Sequence, residues 1–421
     1  MTSDPGVHGG ANWAGTHRYG AREIVAVPSA DDVARRIAGG GLFKALGSRH
    51  SFNDLADTAG TLLDVGALDF EPDVDEAGRR VTVPGGMAYG TLGRILAERG
   101  WALHNLGSLP HISVAGACAT GTHGSGTTNQ SLAGAVCALE LVVGRGRRVT
   151  LDESDPRLPG AVVSLGAIGV ATAVTLRIEP TYAVRQDVYV DMPWSELGQL
   201  DMIMDSAYSV SLFTRWNGLV DQVWLKSLVR DGDRGVPDVQ WARPAPQDVM
   251  SPVDDVLDNT TVQGGVPGPW NERLPHFRFS ETPSRGDEIQ SEYFVAREDG
   301  PDALRALEPL AKAFAPQLLI SEFRTVAADA LWLSPAQGRD SLTIHFTWQN
   351  QPNEVRHHLA SIEEALRPFR ARPHWAKWFN MEASQIAPLY QRLPEFRHLA
   401  REFDPDGQFR NRYLARTLGM E

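Results

Sequence analysis

Two segments late in the 421-residue chain place ionisable and hydroxyl side chains where a buried strand would carry apolar ones. In "LISEFRTV", Glu322 and Arg324 are two residues apart, so a strand directs them to one face and Phe323 to the other. In "LTIHFTWQ", His345 and Thr347 share a face for the same reason. The pattern predicts a sheet with one apolar face and one face whose side chains can bind polar groups and exchange protons.

The alternation of polar and apolar residues in these strands has a simpler explanation as well, since it is typical of a solvated sheet face. Either strand alone is better explained that way. Together they favour a site, because they carry Glu, Arg, His and Thr rather than a mixture of Lys, Glu and Ser. Lys377 in "RPHWAKWF" adds a cation between aromatic residues, although a lone lysine there also fits the surface.

A second group of candidates lies in the glycine-rich stretch "HNLGSLPHISVAGACATGTHGSG". Between Ser113 and Gly126, His123 is the one bulky side chain, so the backbone there must approach something closely. A helix that begins at Ser113 would present free N–H groups and a positive dipole end, which suit a pyrophosphate. Tight packing of a helix on a sheet explains the run almost equally well. The order of strand, G-x-G-x-x-G and helix is missing, which argues against a nicotinamide site.

His50 lies in the short loop "ALGSRHSFN", between a glycine and a serine. A lone loop histidine is more often structural than functional. Beside the glycine-rich stretch it carries more weight, because one domain then holds two glycine-containing turns that can direct N–H groups at a diphosphate.

The surrounding pattern predicts alternating strands and helices as far as Tyr182. Strands are predicted in "LFKALG", "TLLDVG" and "RRVTVP", and helices in "SADDVARRIAGG" and "YGTLGRILAERGW". The stretch from Arg234 to Arg285 is rich in Pro and Gly. Its tryptophans Trp241 and Trp270 favour a long loop packed on a binding surface, and a disordered linker is the alternative.

Composition narrows the class of partner. Hydrophobic residues make up 42% and charged residues 22%, as in globular proteins, and the length predicts two domains or one large composite domain. The net charge of -12 disfavours nucleic acid and anionic membranes, so a small molecule is the expected partner.

Two cysteines, Cys118 and Cys137, provide neither a disulfide framework nor a metal cluster, and no metal site is predicted. The absence of a leader pattern or apolar span predicts the cytoplasm.

Taken together, "GSRHSFN", "GSLPHISVAGACATGTHGSG", "EFR", "IHFTW" and "HWAK" resemble the alditol oxidases, which are vanillyl-alcohol-oxidase-type flavoproteins related to sugar-lactone oxidases. The resemblance extends from "NWAG" to "FDPDGQFRN". It implies an α+β, two-domain fold, with an FAD-binding domain over residues 1–182 and a substrate domain over 183–421. It also implies that the substrate domain is built on a mixed or antiparallel sheet and that the chain returns to the flavin from about residue 373. A monomer is expected.

The resemblance assigns roles residue by residue. His50 is expected to hold FAD covalently through the 8-methyl carbon of the flavin. Catalysis is assigned to Lys377, Arg324 and His345, and substrate binding to Ser108, Glu322, Arg324 and Thr347. The remaining cofactor contacts are assigned to Ser48, Arg49, Ser51, Gly107, Ser108, Ser113, Gly116, Ala117, Thr120, Gly121 and Ile168.

The implied reaction is oxidation of the terminal hydroxyl of an alditol such as xylitol or sorbitol, with O2 reduced to hydrogen peroxide. His345 is the favoured base because its ordinary pKa is near 6.5. Gly107 stands where alanine is expected in alditol oxidases, and the missing Cβ would open space for O2. Two alternatives remain: a sugar-lactone oxidase or dehydrogenase, and a non-catalytic protein that binds flavin or sugar.

Overall fold

The computed structural model describes residues 10–229, 239–246, 250–252, 257–281 and 287–421. Its first part contains a parallel three-stranded sheet in the order β1-β3-β2 and an antiparallel five-stranded sheet in the order β4-β5-β9-β7-β8. A short antiparallel pair joins β6 to β10. These strands are β1 (Glu23–Ala26), β2 (Phe43–Leu46), β3 (Thr61–Asp64), β4 (Asp73–Asp75), β5 (Arg80–Pro84), β6 (Trp101–Ala102), β7 (Val136–Val142), β8 (Arg148–Asp152), β9 (Val170–Arg177) and β10 (Glu179–Pro180).

A nine-stranded sheet dominates the second part of the chain, and every pairing in it is antiparallel. Its order is β14-β11-β13-β12-β17-β18-β16-β19, with β15 paired to β11. The strands are β11 (Ala183–Pro193), β12 (Ser209–Thr214), β13 (Leu219–Leu228), β14 (Arg243–Pro244), β15 (Gly268–Pro269), β16 (Glu288–Ala296), β17 (Leu318–Val326), β18 (Ser341–Gln349) and β19 (Arg372–Pro373). The central strands β12, β16, β17 and β18 support the site described below.

The helices are short in both parts, except for two of 15 residues that cover one face of the large sheet. They are α1 (Ala30–Ala38), α2 (Tyr89–Glu98), α3 (Val114–Ala119), α4 (Leu158–Val162), α5 (Leu200–Met204), α6 (Trp270–Arg273), α7 (Gly300–Phe314), α8 (Pro352–Leu366), α9 (Ala383–Ile386), α10 (Leu393–Phe403) and α11 (Arg412–Leu418). No helix in the described ranges is long and apolar enough to cross a membrane.

The local signals read from the sequence explain where α1 begins and ends. Ser29 caps it by accepting a hydrogen bond from the N–H of Asp32, and Gly39 ends it. Val33 and Ile37 form its buried stripe. The predicted helix in "YGTLGRILAERGW" is α2, and the three predicted strands are β2, β3 and β5.

The large sheet has one apolar and one polar face, as the alternation predicts. Phe323, Ile344, Phe346 and Trp348 lie in a core shared with apolar residues of α7 and α8. Burial of this face fixes the strand register, since a slip of one residue would turn the apolar side chains away from the helices. The opposite face carries the polar side chains of the site beside a small apolar cluster that includes Trp224.

The C-terminal segment returns to the first part of the chain. Phe52 N–H donates to Ala376 O over 2.8 Å, and Asn53 Nδ2 donates to the carbonyls of Trp375 and Lys377, each over 2.8 Å. Apolar residues of α10 and α11 join the core of the first part rather than that of the large sheet. The boundary at Tyr182 stays a prediction, although β11 begins directly after it, at Ala183.

The Pro- and Gly-rich stretch is described only in pieces, and residues 230–238, 247–249, 253–256 and 282–286 lie outside the described ranges. Trp241 packs, partly buried, against the core of the large sheet. Trp270 is fully buried and donates from Nε1 to Trp101 O over 3.2 Å. Both tryptophans thus pack against the protein, as the loop prediction requires.

Candidate active site

A cavity of about 550 Å³ lies between the loop at residues 47–51, the glycine-rich segment and the polar face of the large sheet. This volume is within the roughly 300 to 1,000 Å³ of small-molecule and cofactor sites. The cavity brings together most of the residues singled out from the sequence: Ser48, Arg49, His50, Ser51, Gly107, Ser108, Ser113, Gly116, Ala117, Thr120, Glu322, Arg324, His345, Thr347 and Lys377. Gly121 and Ile168 are not among its lining residues. The roles assigned to all of these residues stay predictions.

The loop after β2 has a backbone conformation and unpaired N–H groups that suit an anionic group. Arg49 adopts a φ of 62°, a left-handed conformation that is uncommon for residues other than glycine. Among the described residues, nothing accepts a hydrogen bond from the N–H groups of Ser48, Arg49, His50 and Ser51. Four consecutive free N–H groups on a cavity wall fit the diphosphate of FAD.

The glycine-rich segment forms a wall with little room for larger side chains. A Cβ on Gly47 would meet Ser113 Oγ at 2.4 Å, and one on Gly116 would meet the same atom at 2.7 Å. Ser113 N–H also donates to Ser48 Oγ over 3.1 Å. These contacts fix the segment against the loop at residues 47–51 and let both backbones approach the cavity.

The prediction that the helix after Ser113 presents free N–H groups is wrong for its first two residues. Val114 N–H donates to Met87 O over 2.8 Å, and Ala115 N–H donates to Gly85 O over 3.0 Å. The turn after β5 therefore satisfies these groups before any ligand can. The start of α3 serves mainly to pack against that turn, and the loop at residues 47–51 offers more donors to an anion.

The ring of His50 forms part of the cavity wall and is uncharged. Its ring packs on Trp13 with centroids 5.0 Å apart. Burial, with smaller contributions from the nearby His111 and Lys377, lowers the pKa of His50 to about 4. The imidazole is therefore neutral at pH 7 and keeps a nitrogen lone pair for bonding.

The polar face of the sheet gathers the predicted substrate residues. Glu322 of β17 lies directly opposite His345 of β18, and Ile320 lies opposite Thr347. His345 Nε2 is 3.2 Å from Thr347 Oγ1. Arg324 Nη1 donates to Ser108 Oγ over 3.3 Å, which links the sheet to the glycine-rich segment.

Glu292 of β16 was not found by sequence reasoning, yet it lies at the centre of the charged groups. It faces His345 across the sheet, accepts a hydrogen bond from Arg324 Nη2 over 2.9 Å and lies 3.2 Å from His123 Nε2. Burial raises its pKa, but His123 and Arg324 outweigh burial and hold the pKa well below the usual range. His374 adds a third potential metal ligand, with the ligand atoms within 4.8 Å of one another, but the guanidinium on Glu292 opposes a cation there.

Glu322 is held as a carboxylate by two partners. His276 Nε2 lies 2.8 Å from its Oε1, and Arg324 Nε lies 3.5 Å from the same atom without forming a hydrogen bond. Burial raises the pKa of Glu322, but Arg324 and His276 outweigh it and shift the pKa strongly downward. Glu322 therefore acts as an acceptor of hydrogen bonds.

The two candidate proton-handling groups differ in charge. Burial lowers the pKa of His345 despite the opposing effect of Glu292, whose Oε2 is 3.5 Å from His345 Nδ1. Burial likewise lowers the pKa of Lys377 to about 8, with Glu292 opposing the shift. Lys377 Nζ donates to Gln290 Oε1 and lies 4.6 Å from the centroid of the Phe52 ring. At pH 7 the structure thus provides a neutral imidazole beside an ammonium group that is mostly charged.

Comparisons with known proteins identify the family of the chain. The family model "FAD binding domain" matches residues 23–152, and the model "D-arabinono-1,4-lactone oxidase" matches residues 282–417. An alditol oxidase from a Streptomyces species is 46% identical over 414 residues, which cover 97% of this chain and 98% of that protein. An L-gulono-1,4-lactone dehydrogenase from Mycobacterium tuberculosis is 29% identical over 428 residues, covering 97% of this chain and 99% of that protein.

Solved structures of two cholesterol oxidases share the fold. A solvent-stable cholesterol oxidase superposes with a TM-score of 0.79 at 14% identity, covering 99% of this chain and all of that one. The enzyme from B. sterolicum gives a TM-score of 0.77 at 14% identity, with 99% of each chain covered. Fold and site together define an FAD-dependent oxidoreductase with the two-domain, vanillyl-alcohol-oxidase-type architecture. Within that class, the chain belongs to the alditol oxidase family.

Proposed function

We propose that this enzyme oxidises the terminal hydroxyl of an open-chain alditol such as xylitol or sorbitol to the aldose and reduces O2 to hydrogen peroxide. The observation that supports the proposal is that Glu322, Thr347 and Ser108, whose side chains can pair with hydroxyls, line the same cavity as His50. A polyol has many hydroxyls to pair, and an unpaired buried one costs about 1 to 3 kcal/mol. The 46% identity to an alditol oxidase supports the same substrate class.

His345 takes the hydroxyl proton in this mechanism. Its lowered pKa keeps it neutral and able to accept a proton, and Glu292 then stabilises the imidazolium. Arg324 and Lys377 stabilise the negative charge that develops on the substrate oxygen. The flavin, when bound, supplies the acceptor for the hydride that leaves the carbon.

His50 is proposed to attach the flavin covalently, through a ring nitrogen and the 8-methyl carbon. The neutral ring at the cavity wall supports this role, because bond formation requires a nitrogen lone pair. Acid precipitation tests it directly: the yellow chromophore is expected to stay with the precipitated wild-type chain and to leave a His50→Ala variant. Release of the chromophore from both proteins would show that the link is absent.

Gly107 is proposed to leave room for O2 beside the flavin. A Cβ at this position would lie 3.6 Å from both His123 O and Ile112 Cδ1, an ordinary contact, so alanine fits and larger side chains fill the space. We expect a Gly107→Val variant to be reduced by xylitol as before but to be reoxidised by air more slowly, and a Gly107→Ala variant, which adds the Cβ alone, to be slowed less. Reoxidation of the valine variant at the wild-type rate would exclude this role.

A sugar-lactone oxidase or dehydrogenase is the second candidate, favoured by the family model over residues 282–417 and by the M. tuberculosis relative. Peroxide assays with xylitol, sorbitol and L-gulono-1,4-lactone separate the two. Production of peroxide from the alditols alone is expected. A non-catalytic binding protein would produce none from any of them, and it would not need His345, Arg324 and Lys377 together.

The enzyme is further proposed to be a cytoplasmic monomer. Both cysteines are buried free thiols, as suits a reducing compartment. Size-exclusion chromatography with light scattering is expected to give the mass of one 46.0 kDa chain.

A further inference from the structure

A buried row of three ionisable groups leads from the large sheet into the cavity. Lys226 of β13 and His276, which follows α6, meet with Nζ and Nδ1 3.1 Å apart. His276 Nε2 then meets Glu322 Oε1 at 2.8 Å. The three residues are only 1%, 5% and 6% exposed, so water does not compete for these contacts. Neither Lys226 nor His276 was singled out from the sequence.

The hydrogen-bond partners of Lys226 determine the directions of its N–H groups. Its Nζ donates to Leu274 O over 2.6 Å and to Pro275 O over 3.0 Å, which leaves one position directed at His276 Nδ1. If the lysine is an ammonium, its third N–H donates to Nδ1, and the neutral ring must carry its own proton on Nε2. If instead the third lysine proton has moved to Nδ1, the lysine is neutral and the ring is an imidazolium. The imidazolium also carries a proton on Nε2.

Both arrangements give the same result at Glu322. The Nε2–H of His276 donates to Oε1, and the row as a whole is neutral, with one positive charge opposite one carboxylate. Burial lowers the pKa of both Lys226 and His276, and each is lowered further by neighbouring positive charge. These shifts oppose a second positive charge in the row, so the two groups share at most one proton.

The second oxygen of Glu322 is left for the substrate. Within the part of the chain that the structure describes, no hydrogen-bond donor reaches Oε2, and Glu322 lines the cavity. An ionised carboxylate at that position accepts a hydrogen bond from a hydroxyl and repels the carbonyl oxygen of a lactone.

We propose that Lys226 and His276 are positioning residues that determine specificity: they hold Glu322 ionised, with Oε2 free, and so select substrates that present a hydroxyl rather than a carbonyl. This inference rests on the proposed function. It deepens that function by naming the residues that favour the polyol over the lactone.

A matched pair of variants at His276 tests the proposal. Glutamine carries an acceptor for Lys226 and a donor for Glu322, whereas leucine has comparable bulk and neither group. We expect His276→Leu to raise the KM for xylitol at least tenfold with kcat within threefold of wild type, and His276→Gln to keep KM within threefold. Lys226→Met should resemble the leucine variant without altering the ring.

Flavin content and thermal midpoint, measured on each purified variant, identify proteins that fold as the wild type does. Equal KM values for the leucine and glutamine variants would overturn the positioning role, as would a fall in kcat at unchanged KM. The ratio of xylitol to L-gulono-1,4-lactone turnover is a second readout, expected to fall in the leucine and methionine variants. Wild-type protein that fails to oxidise xylitol would instead overturn the proposed function, so the two failures are distinguishable.

Discussion

Lys377 changes its charge within the pH range in which enzymes are commonly assayed. Burial lowers its pKa to about 8, and the proposed mechanism needs the protonated form. Activity that depends on the ammonium is therefore present below pH 8 and is lost as the pH rises through that value. Arginine keeps its charge in this range, because its pKa exceeds about 12.

We expect kcat/KM of the wild-type enzyme to fall above about pH 8 and that of Lys377→Arg to stay level to about pH 10. Lys377→Met serves as the control and should be low at every pH, with flavin still bound. An arginine variant with the same alkaline decline as the wild type would show that another group causes it.

The residues that could be predicted are those whose chemistry stands out within one strand. Glu322 with Arg324, and His345 with Thr347, were found because a period of two gives the face directly. Glu292 was missed because its importance depends on a pairing with His345, 53 positions further along the chain, which only the sheet register reveals.

His276 was missed for a related reason: it lies in a loop, where no periodicity indicates direction. A polar alternation in "EIQSEYFVA" is the one signal that could have drawn attention to Gln290 and Glu292. The strands could therefore be predicted from the sequence, whereas the charge network between them depends on the order of the strands in the sheet.

At the scale of elements, the site depends on a junction between the loop at residues 47–53 and the segment that carries Lys377. Asn53 makes this junction by donating both N–H groups of its side-chain amide, one to Trp375 O and one to Lys377 O. No local sequence signal predicts it, since the partners are more than 300 positions apart. The junction is expected to hold the ammonium group over the cavity.

Replacing Asn53 by alanine should lower the free energy of unfolding by about 1 to 3 kcal/mol, because Lys377 O loses its donor. Trp375 O keeps a hydrogen bond from the Tyr413 hydroxyl. Activity should fall as well, through looser positioning of Lys377. Urea unfolding and steady-state kinetics measure the two effects. Asn350→Ala, at an exposed position, is the control and should change stability by less than about 0.5 kcal/mol. Unchanged stability in the Asn53 variant would refute this role.

For the whole molecule, the cavity lies between residues of the FAD-binding part and the large sheet, so a cofactor bound there would contact both. A covalent link at His50 would make the stabilisation by flavin independent of free FAD. In His50→Ala the cofactor becomes a dissociable ligand, whose stabilisation follows mass action and reaches about 2.7 kcal/mol at a hundredfold excess over Kd.

Thermal unfolding of His50→Ala should therefore shift upward as FAD is added, whereas the midpoint of the wild-type protein should not move. The measurement is a melting curve at several FAD concentrations. A wild-type midpoint that rises with FAD would argue for a dissociable cofactor, and a variant that does not respond would argue against a flavin contact at His50.

The most direct test of the central claim, oxidation of alditols, is to mix the enzyme with substrate in the absence of oxygen and follow the absorbance of the oxidised flavin. Xylitol is expected to bleach the flavin at least tenfold faster than L-gulono-1,4-lactone at equal concentration, since Glu322, Thr347 and Ser108 are proposed to pair with the hydroxyls of an open-chain polyol. Faster bleaching by the lactone, or none by xylitol, would contradict the proposed function.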